Sequence, residues 1–189
     1  MLNINKKKKI SIYKQLLGDK FKDGLKVLDY GYGSGDFFKF LKDELSDFEY
    51  YGLECEGSLN INNKGLDFNN VHLAFVDSEQ EKEFIESADV IILNSIFTHL
   101  KCQDFEKIMK KFENKDVFFS VFLIEDLPVG YQIPPETLLY GLPNCYRFVF
   151  YTSDFIFEYS KNNNVKIKHV GSYYVPHVNL WQNIFKKDK

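Results

Sequence analysis

The stretch "VLDYGYGSGDFFKFL", residues 27–41, decides the fold of this chain. Apolar residues lead into it, and Asp29 precedes three glycines at alternate positions, Gly31, Gly33 and Gly35. An amphipathic helical pattern follows directly. Glycine lets a backbone turn pass close to a ligand, and the start of a helix directs the positive end of its dipole at that ligand. The stretch therefore predicts a strand, a ligand-binding turn and a helix.

The spacing of the glycines argues against a dinucleotide cofactor. A dinucleotide-binding turn reads Gly-x-Gly-x-x-Gly, which from Gly31 requires glycine at position 36. The residue there is Asp36, and the third glycine comes one position earlier. A carboxylate at Asp29 would also repel a pyrophosphate, whereas it would attract an ammonium or sulfonium group. A nicotinamide oxidoreductase is therefore disfavoured.

Length and composition indicate one globular domain spanning residues 1–189, with 44% hydrophobic residues. The net charge of −3 disfavours a nucleic-acid partner. The longest apolar run, residues 117–124, is much shorter than the ~20 residues of a membrane span. No signal-peptide pattern follows the basic residues 6–9. We therefore expect a cytoplasmic protein. Three isolated cysteines without a Cys-x-x-Cys pair indicate neither a disulfide framework nor a zinc or other metal site.

Strand and helix patterns alternate along the chain. A leading helix is predicted at residues 7–18 and a capped helix at 154–161, with Thr152 or Ser153 as its cap. The last two strands form an antiparallel hairpin. This pattern predicts an α/β fold, a Rossmann-like doubly wound and mostly parallel seven-stranded sheet with a C-terminal antiparallel hairpin. The predicted strands are residues 25–29, 49–54, 71–76, 88–93, 117–124, 165–174 and 178–185.

The segment 126–147 contains four of the five prolines and is long for a loop, so we expect a lid on the acceptor side. Arg147, the only arginine, ends it. A planar guanidinium suits a carboxylate or phosphate of a substrate, although an ion pair or a ring contact within the protein explains it equally well. Tyr131 is a second candidate for the acceptor pocket, and ordinary loop packing is its alternative.

The glycine stretch resembles the first motif, V-L-D-x-G-x-G-x-G, of the class I S-adenosylmethionine-dependent methyltransferases. Three more segments resemble later motifs of that family in the usual order: "YYGLECEGSL" (50–59), "AFVDSEQ" (74–80) and "ADVIILNSIFTHL" (88–100). The resemblance covers about residues 25–100. It implies a methyltransferase that uses S-adenosylmethionine and releases S-adenosylhomocysteine.

The resemblance also implies the cofactor-binding residues. Glu54 would hold both ribose hydroxyls, and its position 19 residues after Gly35 agrees with the ~20 expected for such an acid. Asp77 and Ser78 would bind the adenine edge. The full cofactor-binding set is Asp29, Gly31, Gly33, Gly35, Glu54, Cys55, Asp77, Ser78 and Asn94.

Catalytic residues are expected where the parallel strands end, since ligands of such sheets bind there. A hydroxyl acceptor must lose a proton, and an imidazole can take it at neutral pH. His177 in the terminal turn and His99 after the fourth strand are the candidates, with His177 favoured. Tyr173, near the same turn, is a candidate for acceptor binding.

The methyl acceptor is expected to be a small molecule. After the fourth strand the chain reads "LNSIF" instead of the Asn/Asp-Pro-Pro-Tyr/Phe that marks methyltransferases of base or amide nitrogens. We therefore expect O-methylation of a sugar, a sugar phosphate or a cell-surface glycan precursor. The alternatives are an N-methyltransferase acting on a small metabolite or RNA, and a catalytically silent cofactor-binding subunit.

Overall fold

The fold is a mixed sheet with helices on both faces. A computed structural model describes Lys14 and residues 17–55, 68–100, 102–126, 149–175 and 180–188. The strands, in chain order, are β1 Leu25–Tyr30, β2 Phe48–Glu54, β3 Val71–Phe75, β4 Val90–Leu93, β5 Asp116–Leu123, β6 Phe150–Tyr151, β7 Ile167–Val175 and β8 Leu180–Lys187. The helices are α1 Asp36–Glu44, α2 Glu79–Ser87, α3 Cys102–Lys111 and α4 Ser153–Asn162. Short 3-10 helices cover Gly18–Lys20 and Ile124–Asp126.

The strand order is β3-β2-β1-β4-β5-β8-β7, and β6 pairs with β5. Strands β1 to β6 are parallel, whereas β8 pairs antiparallel with both β5 and β7. The chain order reverses at β1, which lies between β2 and β4, and ligands of such sheets bind at this switch point. The predicted fold class and the antiparallel hairpin are confirmed, although the sheet of the described residues has eight strands instead of the predicted seven.

Two apolar clusters fill the two faces of the sheet. One cluster contains buried side chains of α2, α3 and α4. The other contains four residues of α1 together with Leu17. Strand β5 lies between the two clusters, and every one of its residues after Asp116 is buried. This confirms that residues 117–124 form a central strand buried on both faces, although the strand itself ends at Leu123.

Most predicted elements lie within two residues of their observed bounds. The helix α4 has Thr152 as its cap, because the Thr152 side chain accepts a hydrogen bond from the Phe155 amide at 3.1 Å. Strand β6 was not predicted, since two residues show no period. Of the predicted helix 7–18 only positions 14, 17 and 18 are described, and Lys14 and Leu17 are helical. Within the described part of the chain no helix is long and apolar enough to cross a membrane.

Candidate active site

The turn between β1 and α1 depends on its three glycines. Gly31, Gly33 and Gly35 have φ of +77°, +53° and +66°, in the left-handed region that a Cβ disfavours. The Gly31 amide donates to the Leu53 carbonyl at 2.7 Å, which ties the turn to the end of β2. Gly35 is the N-cap of α1, so the turn leads directly into the positive end of that helix. The predicted strand, turn and helix are confirmed.

Glu54 ends β2 beside the glycine turn. Its carboxylate accepts hydrogen bonds from the Gly33 amide at 3.0 Å and from the Cys55 amide at 2.9 Å. A carboxylate offers about four acceptor positions, so two amides leave capacity for further donors such as ribose hydroxyls. The glycine turn and the acid are therefore in contact, as the cofactor prediction requires.

The middle of the turn is open, whereas its start is closely packed. A Cβ added to Gly33 would have no heavy atom of the described residues within 4 Å. A Cβ added to Gly31 would lie 2.0 Å from Ile96 Cδ1. The turn after β4 therefore contacts the glycine turn directly, and the space above Gly33, which we call the cradle, is open. An open cradle beside an acid with free acceptor capacity fits a nucleoside with ribose hydroxyls.

Asp29 lies near the end of β1, two residues before Gly31. It is 2% exposed, and the Tyr50 hydroxyl donates to its Oδ2 at 2.7 Å. Burial, together with the Asp29 charge, raises the pKa of Tyr50 well above its ordinary value. Tyr32 of the glycine turn is also buried, and desolvation followed by the charges of Glu54 and Asp29 raises its pKa to about 12. The two carboxylates thus place negative charge at the switch point, which attracts a cation. The role of Asp29 toward the cofactor stays a prediction.

Asp77 contacts the helix α3, which packs on the opposite face of the sheet from α1. Its φ is +64°, and its carboxylate accepts from Lys111 Nζ at 2.8 Å. This hydrogen bond, together with the lysine charge, lowers the pKa of Asp77. Ser78 caps α2 and donates its hydroxyl to the Phe75 carbonyl at 2.6 Å. The adenine-binding role of these two residues stays a prediction.

His99 is an exposed residue of the turn after β4, and α3 begins three residues later, at Cys102. The His99 amide donates to the Ile96 carbonyl at 3.1 Å. Because Ile96 packs against Gly31, His99 is on the same rim as the glycine turn. Asn94 precedes this turn and is partly buried.

Tyr173 is buried in the terminal hairpin, and its role toward the acceptor stays a prediction. It belongs to β7, it is 8% exposed, and its hydroxyl donates to Gln182 Oε1 on the neighbouring strand β8. The alternation of side chains along β7 directs Tyr173 into the core on the α1 side of the sheet, which the hairpin prediction did not resolve. The other acceptor-side candidates, His177, Arg147 and Tyr131, lie outside the described residues, as do residues 127–147 of the predicted lid.

Sequence reasoning missed a group of polar side chains beside the β4 turn. Gln182 Nε2 donates to Ser95 Oγ at 3.0 Å and to Ser120 Oγ at 2.9 Å. Ser120 interrupts the apolar run of β5, which was the available signal, whereas Gln182 lies in β8 beside other polar residues. The described residues contain no group of three His, Cys, Asp or Glu side chains placed to hold a metal ion.

Two surface grooves lie outside the glycine turn. One, of about 600 Å³, runs between α2 and α3 and is lined largely by charged side chains. The other, of about 450 Å³, lies between α4 and the terminal hairpin and is mainly apolar. No residue of the glycine turn lines either groove.

Comparison with known proteins identifies the family. A family model described as a methyltransferase domain matches residues 3–138. The chain belongs to this methyltransferase family. This match confirms the family and the enzyme class of the methyltransferase, which were predicted from the glycine turn and the three later motifs. No curated protein sequence matches the methyltransferase significantly.

Solved structures share the fold of the methyltransferase at low sequence identity. Magnesium protoporphyrin IX methyltransferase from Synechocystis PCC 6803, with bound S-adenosylhomocysteine, is 13% identical with a TM-score of 0.60, covering 97% of this chain and 82% of that one. The N-terminal domain of EvdMO1, in the presence of S-adenosylhomocysteine and D-fucose, is 14% identical with a TM-score of 0.58, covering 100% and 84%. An O-methyltransferase family protein from Burkholderia thailandensis is 10% identical with a TM-score of 0.63, covering 97% and 56%.

Proposed function

We propose that this methyltransferase transfers the methyl group of S-adenosylmethionine to a hydroxyl group of a small molecule. The observation that carries the proposal is the contact between the Gly33 amide and the Glu54 carboxylate at 3.0 Å, beside the open space above Gly33. This arrangement combines a close backbone approach with an acceptor for ribose hydroxyls. The solved neighbours that hold S-adenosylhomocysteine support the choice of cofactor.

The described residues divide the work of binding and orientation. Bound S-adenosylmethionine supplies a methyl group on a positively charged sulfur. Glu54 accepts hydrogen bonds from the ribose hydroxyls, and Gly33, which has no side chain, leaves room for the nucleoside beside the turn. The buried carboxylate of Asp29 adds negative charge near the glycine turn. Since methyl transfer is an in-line displacement, these residues act mainly by fixing the donor in place and excluding water.

The proton of the acceptor hydroxyl goes to a histidine in this proposal. His99 lies on the rim beside the glycine turn and is exposed, so an acceptor can reach its imidazole. His177, which the sequence favours, follows β7 along the chain. Either imidazole suits a general base at neutral pH.

The proposed acceptor class is a sugar, a sugar phosphate or a glycan precursor. The EvdMO1 domain, whose structure was determined with D-fucose, supports a sugar acceptor. The Burkholderia O-methyltransferase family protein supports oxygen as the acceptor atom. A nitrogen atom of a small metabolite or of RNA is the alternative, and the net charge of −3 disfavours RNA. The second alternative is a cofactor-binding subunit without catalysis.

Calorimetry with S-adenosylhomocysteine tests the cofactor site. We expect wild-type binding and a weakening of about 10- to 100-fold in Glu54→Ala, since hydrogen bonds to charged groups contribute roughly 1.5–3 kcal/mol. Glu49→Gln is the matched control, because Glu49 lies in the same strand and pairs with His72 at 2.8 Å. It should bind like the wild type. A wild-type chain that takes up no S-adenosylhomocysteine contradicts the proposed function.

Formation of S-adenosylhomocysteine from S-adenosylmethionine tests the acceptor. The chain would be incubated with matched panels of sugars, sugar phosphates, small amines and RNA. We expect product with hydroxyl acceptors. Product with amines or RNA alone would favour the N-methyltransferase. Cofactor binding without turnover across all panels would favour the silent subunit.

A further inference from the structure

Four side chains from four separate parts of the chain form one hydrogen-bonded group beside the proposed cofactor site. Ser95 follows β4, Ser120 lies in β5, Tyr173 in β7 and Gln182 in β8. Ser120, Tyr173 and Gln182 are buried. We call these four residues the β4-turn clamp. Such a buried polar group specifies one arrangement when all its members are satisfied, and no buried side-chain polar atom of the described residues lacks a partner.

Ser95 is the strained member of the clamp. Its φ of +65° lies in the left-handed region, which is unfavourable for a residue with a Cβ. Three hydrogen bonds hold this conformation. The Ser95 amide donates to Ser120 Oγ at 2.9 Å, its Oγ accepts from Gln182 Nε2 at 3.0 Å, and its carbonyl accepts from Thr98 Oγ1 at 2.6 Å. Without these partners the turn would relax to another backbone conformation.

Tyr173 fixes the orientation of the Gln182 amide. The Tyr173 hydroxyl donates to Gln182 Oε1, and this leaves the Gln182 amide nitrogen to donate to the two serines. A flipped amide would present an oxygen to Ser95 Oγ and Ser120 Oγ, and both hydroxyls would have to rotate from accepting to donating a hydrogen bond. The Tyr173 hydroxyl also interacts with the side chains of Ser95 and Ser120, so Tyr173 acts on the turn after β4 both directly and through Gln182.

The conformation at Ser95 controls a contact with the glycine turn. The next residue, Ile96, packs closely against Gly31, since a Cβ added to Gly31 would lie 2.0 Å from Ile96 Cδ1. On the other side of Ser95, Asn94 Oδ1 lies 3.4 Å from Ser95 Oγ. A change at Ser95 would move both neighbours. Ile96 packs against the cofactor turn, and Asn94 belongs to the predicted cofactor-binding set.

We propose that Ser120, Gln182 and Tyr173 are positioning residues, which hold Ser95 in the left-handed conformation and thereby seat the β4 turn against the glycine turn. This inference rests on the proposed function, because it concerns the same cofactor site. The clamp keeps the binding-competent turn populated, and a cofactor binds more weakly in proportion to any loss of that population. The three residues need not touch the cofactor.

Binding of S-adenosylhomocysteine by clamp variants tests the proposal. In Ser120→Ala we expect about tenfold weaker binding, as the competent fraction of the turn falls. Tyr173→Phe should weaken binding in the same direction, since it frees the Gln182 amide to flip. Tyr159→Phe is the matched control, because Tyr159 is equally buried but belongs to the cluster on the other face. It should bind like the wild type.

Rescue by glycine separates positioning from core packing. Glycine adopts a left-handed φ without strain, so Ser95→Gly added to Ser120→Ala should restore most of the lost affinity. Ser95→Ala added to Ser120→Ala should restore none. A residue that merely packs the core would not be rescued by a change in backbone freedom at position 95. Circular dichroism verifies that each variant is folded, and Tyr173→Phe gives the result should Ser120→Ala not fold.

The outcomes distinguish this inference from the proposed function. A wild-type chain that does not bind S-adenosylhomocysteine overturns both. Wild-type binding with equal affinity in folded Ser120→Ala and Tyr173→Phe overturns the clamp and leaves the proposed function standing. Loss of affinity that glycine at position 95 does not restore also overturns the clamp. Loss with rescue supports it.

Discussion

At the scale of single residues, Gly33 affects both the stability of the fold and the proposed cofactor site. Its φ of +53° disfavours any side chain, and a Cβ there would enter the open space above the turn. Gly33→Ala should lower stability by about 1–2 kcal/mol, the usual cost of a left-handed alanine. It should also weaken S-adenosylhomocysteine binding by about tenfold or more, because the added methyl group narrows the space that a nucleoside would enter. Urea unfolding and calorimetry measure the two effects.

Gly18→Ala is the matched control at this scale. Gly18 has a φ of +51°, and among the residues that the structure describes a Cβ there would also meet nothing within 4 Å. It lies in the 3-10 helix Gly18–Lys20, and Lys20 of this helix pairs with Asp116 at the start of β5. Gly18 is therefore at the edge of the sheet opposite the carboxyl ends of the parallel strands. It should lose similar stability but bind normally. Equal affinities in the two alanine variants would show that the nucleoside does not approach Gly33.

At the scale of elements, one lysine joins α2 to α3. Lys111 Nζ lies 2.7 Å from Glu81 Oε1 and 2.8 Å from Asp77 Oδ1, and Glu81 is buried. Lys111→Met leaves that carboxylate without its cation. We expect a loss of ~1–3 kcal/mol of stability in urea unfolding, between the values for exposed and for buried ion pairs. Lys82→Met removes an exposed pair with Glu86 on α2 and should change stability by less than ~0.5 kcal/mol. A similar loss in both variants would contradict a special role for Lys111.

The same ion pair predicts a pH dependence. The hydrogen bond from Lys111 lowers the pKa of Asp77, so this contribution exists above the unfolded-state pKa and is lost as the pH falls through the lowered value. Burial lowers the pKa of Lys111, but hydrogen bonds to Asp77 and Glu81 outweigh it and raise the pKa overall. That contribution exists below the unfolded-state pKa and is lost as the pH rises through the raised value. The stability difference between wild type and Lys111→Met should therefore be largest between about pH 4 and pH 10. A constant difference from pH 2 to pH 7 would exclude this account.

At the scale of the whole molecule, Phe105 of α3 joins the helices of one face to the sheet. Its ring centroid lies 4.4–5.7 Å from the centroids of Phe97, Phe119, Tyr151, Phe155 and Tyr159. Phe105→Ala should cost about 3–5 kcal/mol, because it leaves a cavity among these rings. The free energy of unfolding of a typical domain is roughly 5–15 kcal/mol, so this loss would be a large part of it. Thermal and urea unfolding measure the loss.

Phe157→Ala is the control for Phe105. Phe157 lies on α4 and is 70% exposed. Its removal should change stability by about 0.5 kcal/mol or less. Suppose that Phe105→Ala loses stability but still unfolds in a single cooperative transition, and that Phe157→Ala changes little. This result would show that the aromatic cluster contributes to the stability of the whole domain. Comparable losses in the two variants would refute that conclusion.

The sequence by itself determined the features that depend on neighbouring residues. The glycines at 31, 33 and 35 specify a turn, because only glycine takes their φ values without strain. The all-apolar strand β5 and the Thr152 cap follow from local patterns of side chains. The contact between the glycine turn and Glu54 was also predictable, since both end adjacent parallel strands.

Only the tertiary structure decided which distant side chains meet. Ser95 and Gln182 are 87 positions apart, and their contact depends on the register between β5 and β8. The burial of Tyr173 depends on which face of β7 it occupies, and a one-residue shift of register would expose it. The pairing of Asp77 with Lys111 likewise depends on how α3 packs beside α2. Register and packing arise from the whole core at once, and for that reason no local pattern in the chain encodes these contacts.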